Sequence, residues 1–300
     1  MGGRMTERIT LETDEAIVEV IPLLGGSLAG FDLKAGADRP PIFRRWSGES
    51  ESPRTFAAIP MVPFFARISG GGITVDGTFY PIERNDPEDT NPLHGDGWQS
   101  PWNIVERTPT RAALRLRSRK IRPFDYESNL EYRLDGAELR VRLSIRNCAE
   151  RPLPYGMGLH PWFPRTQDVT LRARMDGTWN VQPPVLPTTP EPDPIPAGWD
   201  FSQGQKLPTE YIDNSFTGWD GQARIEWPDQ GYAVTIKADP AIKLSHLYAP
   251  GPELPFFCFE QITHMIDAFN IPAPPERTGL RVLGPDEETS MWVRYAAERL

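Results

Sequence analysis

The chain has 300 residues, 39% of them hydrophobic, and a formal net charge of −9 with a pI near 5.1. That balance opposes a broad phosphate-tracking surface, because nucleic-acid affinity comes largely from clustered Lys and Arg, and no apolar run approaches the roughly 20 residues that span a bilayer. With no signal-type segment from Met1 to Glu15, and with Cys148 and Cys258 far apart and the second in a buried-looking strand, the expectation is a cytoplasmic protein with two reduced thiols that engages neither nucleic acid nor membrane.

Thirty-three prolines and 25 glycines favour many short strands joined by turns over long helices. All-β sandwiches of this length commonly form one unit, so residues 1–300 read as a single domain. In chain order, Val75-Asp76-Gly77 is a turn signal, and alternation of apolar and polar residues predicts strands over 113–119 and 129–134 with a turn at Leu134-Asp135-Gly136. The clearest strand is 139–146, where Leu139, Val141, Leu143 and Ile145 share one face and Arg140, Arg142, Ser144 and Arg146 the other. Residues 183–198 hold seven prolines, too many for a central strand because each lacks a backbone donor, and read as a long loop excursion over the sandwich edge. Strands resume over 233–238, 242–248 and 291–295. Short helical turns are expected only around 267–269 and at the C-terminus, and no repeat of solenoid or propeller period is present. The class is all-β, a large antiparallel β-sandwich.

Three side chains stand out chemically. His94 lies in Asn91-Pro-Leu-His-Gly-Asp-Gly-Trp98 and His160 in Tyr155-Gly-Met-Gly-Leu-His-Pro-Trp-Phe-Pro164, so each imidazole is flanked by Gly and Pro, which let the backbone approach a ligand closely, and followed by a flat aromatic face. Glu260 ends the apolar run Phe256-Phe-Cys-Phe259, which puts a carboxylate in an apolar wall, where it is a better base than in water. Each has a plainer reading: the histidines as turn residues bonded to backbone carbonyls, the glutamate as a strand-end charge paired with an arginine. His246 alternates with Ile242, Leu244 and Tyr248 on one strand face and reads as a satisfied core residue. No His-x-His or His-x-x-x-His pair occurs and the cysteines are distant in sequence, so no metal site is expected.

Five segments in order, Pro63-Phe-Phe-Ala-Arg-Ile68, Leu93-His-Gly95, Gly158-Leu-His-Pro-Trp-Phe163, Tyr211-Ile-Asp-Asn-Ser-Phe216 and Phe259-Glu-Gln261 with Asp267-Ala-Phe-Asn270, resemble the aldose 1-epimerases (galactose mutarotases). The likeness runs from the Gly25-Gly26 turn to the last strand. What the resemblance implies is a β-sandwich of the galactose-mutarotase type that interconverts the α and β anomers of a free aldose, with a small-molecule sugar as partner and no metal or organic cofactor. In that reaction a base takes the proton of the anomeric hydroxyl while an acid protonates the ring oxygen, so that the ring opens, turns and recloses. By the resemblance Glu260 is the base and His160 the acid, with the roles reversing on closure; His94 binds near the ring oxygen, and Arg67 and Asp213 bind hydroxyls. Trp162 or Phe163 is expected to stack on the apolar face of the sugar, alternation allowing only one of them to point inward.

Alternatives stand beside these roles. Asp213 could form an Asx turn, Arg67 a structural ion pair, and both aromatics could be core. The chain departs from the family pattern at Ile266-Asp267-Ala268, where many relatives have Pro-Asp-Ala or Pro-Asn-Ala, and at Leu159 and Trp162, near which a tyrosine or asparagine is often found. The first departure bears on loop shape and the second on substrate contacts. Three rival functions fit the same residues: a hexose-6-phosphate mutarotase, which needs cations such as Arg165, Arg119 or Arg122 beside the primary hydroxyl; a non-catalytic carbohydrate-binding sandwich; and a glycoside hydrolase using Glu260 and Asp213.

Overall fold

Leu139, Val141, Leu143 and Ile145 are buried and the arginines between them are not, so the strand Glu138–Asn147 turns one face to a core and the other to water. Its neighbours are Tyr126–Asp135, joined to it by a two-residue turn with Gly136 at φ +56°, and the 12-residue strand Glu288–Arg299. In the computed structural model, which describes residues 7–34, 38–179, 181–182, 186–187 and 189–300, these strands belong to a nine-stranded antiparallel sheet. Across the sheet the order is Gln205–Lys206, Thr170–Ala173, Gln222–Trp227, Tyr232–Ala238, Glu288–Arg299, Glu138–Asn147, Tyr126–Asp135, Arg111–Ser118 and Asn103–Thr108.

A second antiparallel sheet has ten strands among the described residues. Its path is Ile9–Glu12, Ala16–Ile21, Ser27–Leu33, Ala58–Met61, Gly158–Pro164, Phe256–Ile262, Leu244–Ala249, Ile212–Thr217 and Gly177–Thr178, with Pro41–Phe43 branching from Ser27–Leu33. The two sheets enclose one apolar layer. Phe43 of the ten-stranded sheet meets Tyr295 of the other edge-on at 5.0 Å and Phe163 at 5.2 Å; each such fully buried ring contributes about 1.5–3 kcal/mol in transfer free energy, so this layer holds the sandwich together. On the opposite face of the ten-stranded sheet a smaller apolar cluster joins Ile59, Met61, Trp162, Cys258 and Ile262 to the loop residues Phe56, Phe65 and Trp98. That outer face is where side chains that alternate away from the main core emerge under the loops.

The structure departs from the sequence reading in three places. The C-terminus is strand and not a helical turn, because Met291, Val293 and Tyr295 face the core while the backbone pairs with strands on both sides. Residues 264–273 form tight turns, with Asp267 at φ +56°, and the α-helix among the described residues is the single turn Pro275–Thr278, ended by Gly279 at φ +86°. His160 lies within a strand and not in a turn. Of the proline-rich excursion expected at 183–198, residues 183–185 and 188 lie outside the described residues; Asp193 beyond them exchanges both backbone hydrogen bonds with Thr178. Cys148 and Cys258 are free thiols. No helix among the described residues is long and apolar enough to cross a membrane.

Candidate active site

Strand register brings the chemistry together. Ser215 lies opposite His246 and His246 opposite Glu260, while Asp213 lies opposite Tyr248 and Tyr248 opposite Cys258. On the far side of Phe256–Ile262, Leu159 pairs with Gln261 and Trp162 with Cys258, so the same register sets His160 against Glu260. Directly opposed residues in an antiparallel ladder share a face. Asp213, His246, Glu260 and His160 therefore emerge together on the outer face, although up to 100 residues separate them in sequence.

Loops bring the remaining side chains over this floor. Arg67 and Leu93 form an isolated bridge, as do Val62 and Gly95. Gly95 is at φ +69°, and a Cβ there would lie 2.2 Å from the carbonyl oxygen of Val62, so only glycine permits this approach. Ala66 and His94, both at φ +55°, carry the bend. Two imidazoles hold it: the backbone N–H of Ala66 donates to His94 Nδ1 at 3.1 Å, and that of Phe65 donates to His264 Nε2 at 2.9 Å, while His264 Nδ1 donates to the carbonyl of Met265 at 2.8 Å. Since Nδ1 of His94 accepts, its proton sits on Nε2, and the ring lines the pocket as a donor. Burial, with the neighbouring His160 and Arg67, pushes His94 well below the usual histidine range and keeps it neutral.

At the floor, His160 Nε2 is 3.3 Å from Glu260 Oε1. Glu260 is 1% exposed and His160 8%, and neither Glu260 Oε2 nor His160 Nδ1 has a protein partner. Burial pushes the Glu260 carboxyl well above its usual range, with the charge of Asp213 adding to the rise, and the same burial pushes His160 well below its own. Both groups are thus driven toward their neutral forms, and the neutral pair differs from the ion pair by one proton moved across the 3.3 Å contact.

The wall is a polar network centred on Asp213. Its Oδ1 meets His246 Nε2 at 2.8 Å, and its Oδ2 accepts from Tyr211 at 3.1 Å and lies 3.5 Å from Arg67 Nη1. Burial raises the Asp213 carboxyl, but the hydrogen bond from His246 and the charge of Arg67 more than reverse this, so the net shift is downward and it stays ionised. Arg67 Nε also donates to Asp89 at 2.7 Å, and Arg54, on the same wall, donates to Asp86 at 2.7 Å. Ser215 lies 3.1 Å from His246 Nδ1, completing a Ser–His–Asp line. The serine is 1% exposed and does not line the pocket, whereas Asp213 and His246 do, so the line orients Asp213 and does not activate a nucleophile.

Five of the six residues singled out from sequence line this pocket: His94, His160, Glu260, Arg67 and Asp213. Trp162 does not. It stacks behind His160 at 3.9 Å, with the Arg44 guanidinium 4.4 Å from its ring centroid, and Phe163 points into the layer between the sheets. His246 is buried and bonded at both ring nitrogens, as a core histidine would be, but it lines the pocket and bonds Asp213, which corrects its reading as core alone. Tyr211, Tyr248 and Arg54 also line the pocket and were not singled out. The two tyrosines stand two residues from Asp213 and His246, a spacing that puts strand neighbours on one face; Arg54 carries no such signal.

The matched family model is that of the aldose 1-epimerases, over residues 7–296. The chain belongs to the aldose 1-epimerase family. A protein of uncharacterised function from Escherichia coli strain K12, YphB, is 31% identical over 283 residues, spanning 92% of this chain and 94% of its own. A crystal structure from Escherichia coli K12, of a protein given a provisional description as an aldose 1-epimerase, superposes with a TM-score of 0.89 at 30% identity over 98% of this chain and 99% of that one. A galactose mutarotase-like protein from Clostridium acetobutylicum shares the fold at TM-score 0.84 and 17% identity, covering 97% and 95% of the two chains. The sandwich is thus of the galactose-mutarotase type. The departure from the aldose 1-epimerase pattern lies at Ile266, and the neighbouring Asp267 keeps a structural role: its Oδ1 accepts from Ser69 N at 2.9 Å and from Asn270 at 3.1 Å, tying the 264–273 turns to the loop after Arg67.

Proposed function

We propose that the protein is an aldose 1-epimerase acting on an uncharged free aldose, with Glu260 and His160 as the acid–base pair. The observation that carries this reading is the buried His160–Glu260 contact at the pocket floor, with one unpartnered atom on each group. Moving one proton from Glu260 to His160 gives a carboxylate able to take the anomeric proton and an imidazolium able to protonate the ring oxygen. Ring opening and closure return the proton, so the cycle needs no net proton from solvent. His94 Nε2–H is a donor for the ring-oxygen side, and Arg67 and Asp213, fixed by Asp89, Tyr211 and His246, offer a donor and an acceptor for hydroxyls. Trp162 backs His160 and gives its imidazolium a π face, in place of the sugar platform expected from sequence.

An uncharged substrate is favoured because the cations on the wall are already paired, Arg54 with Asp86 and Arg67 with Asp89 and Asp213; Arg119, Arg122 and Arg165 do not line the pocket. A glycoside hydrolase needs a second free carboxyl group, and both oxygens of Asp213 are engaged. The direct test is polarimetry on freshly dissolved single-anomer aldoses. Catalysed mutarotation, abolished in Glu260→Gln with sugar binding retained, supports the proposal; no acceleration with any neutral aldose refutes it.

A further inference from the structure

We propose that His160, Glu260 and Cys258 form a capture site for a thiophilic divalent cation, of which Zn²⁺ is the probe, and that its occupation shuts down the pocket. Cys258 is fully buried, two residues before Glu260 on the same strand face. The imidazole, the thiol and the carboxylate each bring one ligand atom within 4.8 Å of the other two. Zinc holds sulfur at about 2.3 Å and nitrogen and oxygen at about 2.0–2.2 Å, so ligands of a tetrahedral site lie roughly 3.2–3.8 Å apart. Closing the present triangle takes movements on the order of 1 Å, within reach of side-chain rotation.

One observation and one chemical argument point to a ligand here. His160 Nδ1 and Glu260 Oε2 are buried and have no partner, an arrangement that costs free energy unless something else meets those atoms. The charges also fit: a thiolate and a carboxylate cancel a dication, so the occupied site is neutral in a region where a lone ion is strongly disfavoured. The neutral imidazole completes a mixed N, S, O set that suits zinc better than calcium or magnesium, which select oxygen donors. Three protein ligands leave a fourth position, and the pocket lined by His160 and Glu260 supplies the opening for it.

A cation held there is an inhibitor and not a cofactor, because it occupies the atoms that the proposed reaction uses to carry its proton. Only this inhibitory consequence rests on the proposed function; binding itself does not. The test uses the full-length protein stripped with a chelator and titrated with Co²⁺ and with Zn²⁺. One Co²⁺ per chain with a thiolate-to-cobalt charge-transfer band is expected, displaced by Zn²⁺, present in Cys148→Ser and absent from Cys258→Ser; Cys258→Ala serves if the serine variant does not fold. In the mutarotation assay Zn²⁺ should inhibit reversibly, with EDTA restoring activity, and Cys258→Ser should need at least roughly tenfold more Zn²⁺ for half-inhibition. Absence of the band in the wild type, or its persistence without Cys258, overturns the proposal. Since the band is read without turnover, a protein that binds Co²⁺ through Cys258 yet accelerates no mutarotation would sink the proposed function and leave the cation site standing.

Discussion

Substituting both members of the floor pair separates a shared-proton mechanism from two independent contributions. Glu260→Gln keeps the size of the side chain and removes its basicity, and His160→Asn removes the imidazole. A positioned general acid or base supplies about 10²–10⁴ in rate, equivalent to roughly 2.7–5.5 kcal/mol for each group. Independent effects would add, and the double variant would then fall about 10⁴–10⁸-fold. The 3.3 Å separation of His160 Nε2 and Glu260 Oε1, together with their common burial, argues otherwise, because a single proton serves both groups and either loss disables the cycle. The expected outcome is that each single variant loses at least about a hundredfold in kcat and that the double variant stays within about tenfold of the worse single one. The assay is polarimetry from a pure anomer at saturating sugar, with sugar binding followed by calorimetry to confirm that the pocket survives. Additivity of the two losses would refute the shared proton, and near-normal turnover in Glu260→Gln would remove it from the mechanism altogether.

The pair is competent while it holds one proton, so activity is lost when acid adds a second and when base removes the last. With His160 shifted down and Glu260 shifted up, the bell-shaped pH profile of kcat/KM should be wider on both sides than unperturbed histidine and glutamate would give; a narrow optimum between about pH 4 and 6.5 would contradict it. His246→Gln weakens a buried 2.8 Å bond to an ionised carboxylate worth about 1.5–3 kcal/mol. Because Tyr211 and Arg67 still hold Asp213, KM should rise about tenfold with a smaller change in kcat and a lower Tm, whereas a drop in Tm alone would return His246 to a purely structural role. For one aldose and its 6-phosphate at two ionic strengths, kcat/KM should favour the free sugar at least tenfold with little salt dependence; a preference for the phosphate would reassign the substrate class. Burial lowers His264 to about 4, below its unfolded value near 6.5, so the stability it contributes is complete above about pH 6.5 and is lost as pH falls through about 4. That contribution is on the order of 3 kcal/mol, and the loss of Tm between pH 6.5 and 4 should be smaller in a folded His264→Gln than in the wild type.

The legibility of this chain in its sequence follows how each strand is buried. Strands with one wet face, such as Arg111–Ser118, Tyr126–Asp135 and Glu138–Asn147, alternate cleanly and could be read by period alone. Asp-Gly turns between such strands were equally legible, because Gly77 and Gly136 take left-handed backbone that few other residues adopt cheaply. The C-terminal strand was only half visible: Met291, Val293 and Tyr295 alternate, but its outer residues continue to Arg299 through pairing with Tyr232–Ala238, and that partner is some 60 positions away in sequence. His94, His160 and Glu260 could be picked out because Gly, Pro and apolar flanks are unusual settings for such groups. That His160 and Glu260 meet is set by register between distant strands and has no local signature.

The strands that build the site are those in which alternation fails. Ala58–Met61, Gly158–Pro164, Ile212–Thr217 and Phe256–Ile262 are buried almost throughout, because one face closes the core while the other floors a pocket covered by loops. Along Phe256–Ile262, Phe257 and Phe259 belong to the layer between the sheets and Gln261 accepts from Tyr295 of the opposite sheet, whereas Cys258, Glu260 and Ile262 face outward under the loops. Read without coordinates, this is a continuous apolar run interrupted by a carboxylate and an amide, and nothing in its period says which of the two faces the ligand. The same double burial that hides the periodicity is what strips water from Glu260 and His160 and drives both toward neutrality. Two paired strands with one wet face could carry the same two residues in the same register, but the carboxylate would be solvated, fully ionised and a weak base. The loss of alternation and the reactivity proposed for the pair thus have one physical origin, and in this chain an apolar strand that carries an isolated ionisable residue floors the candidate site.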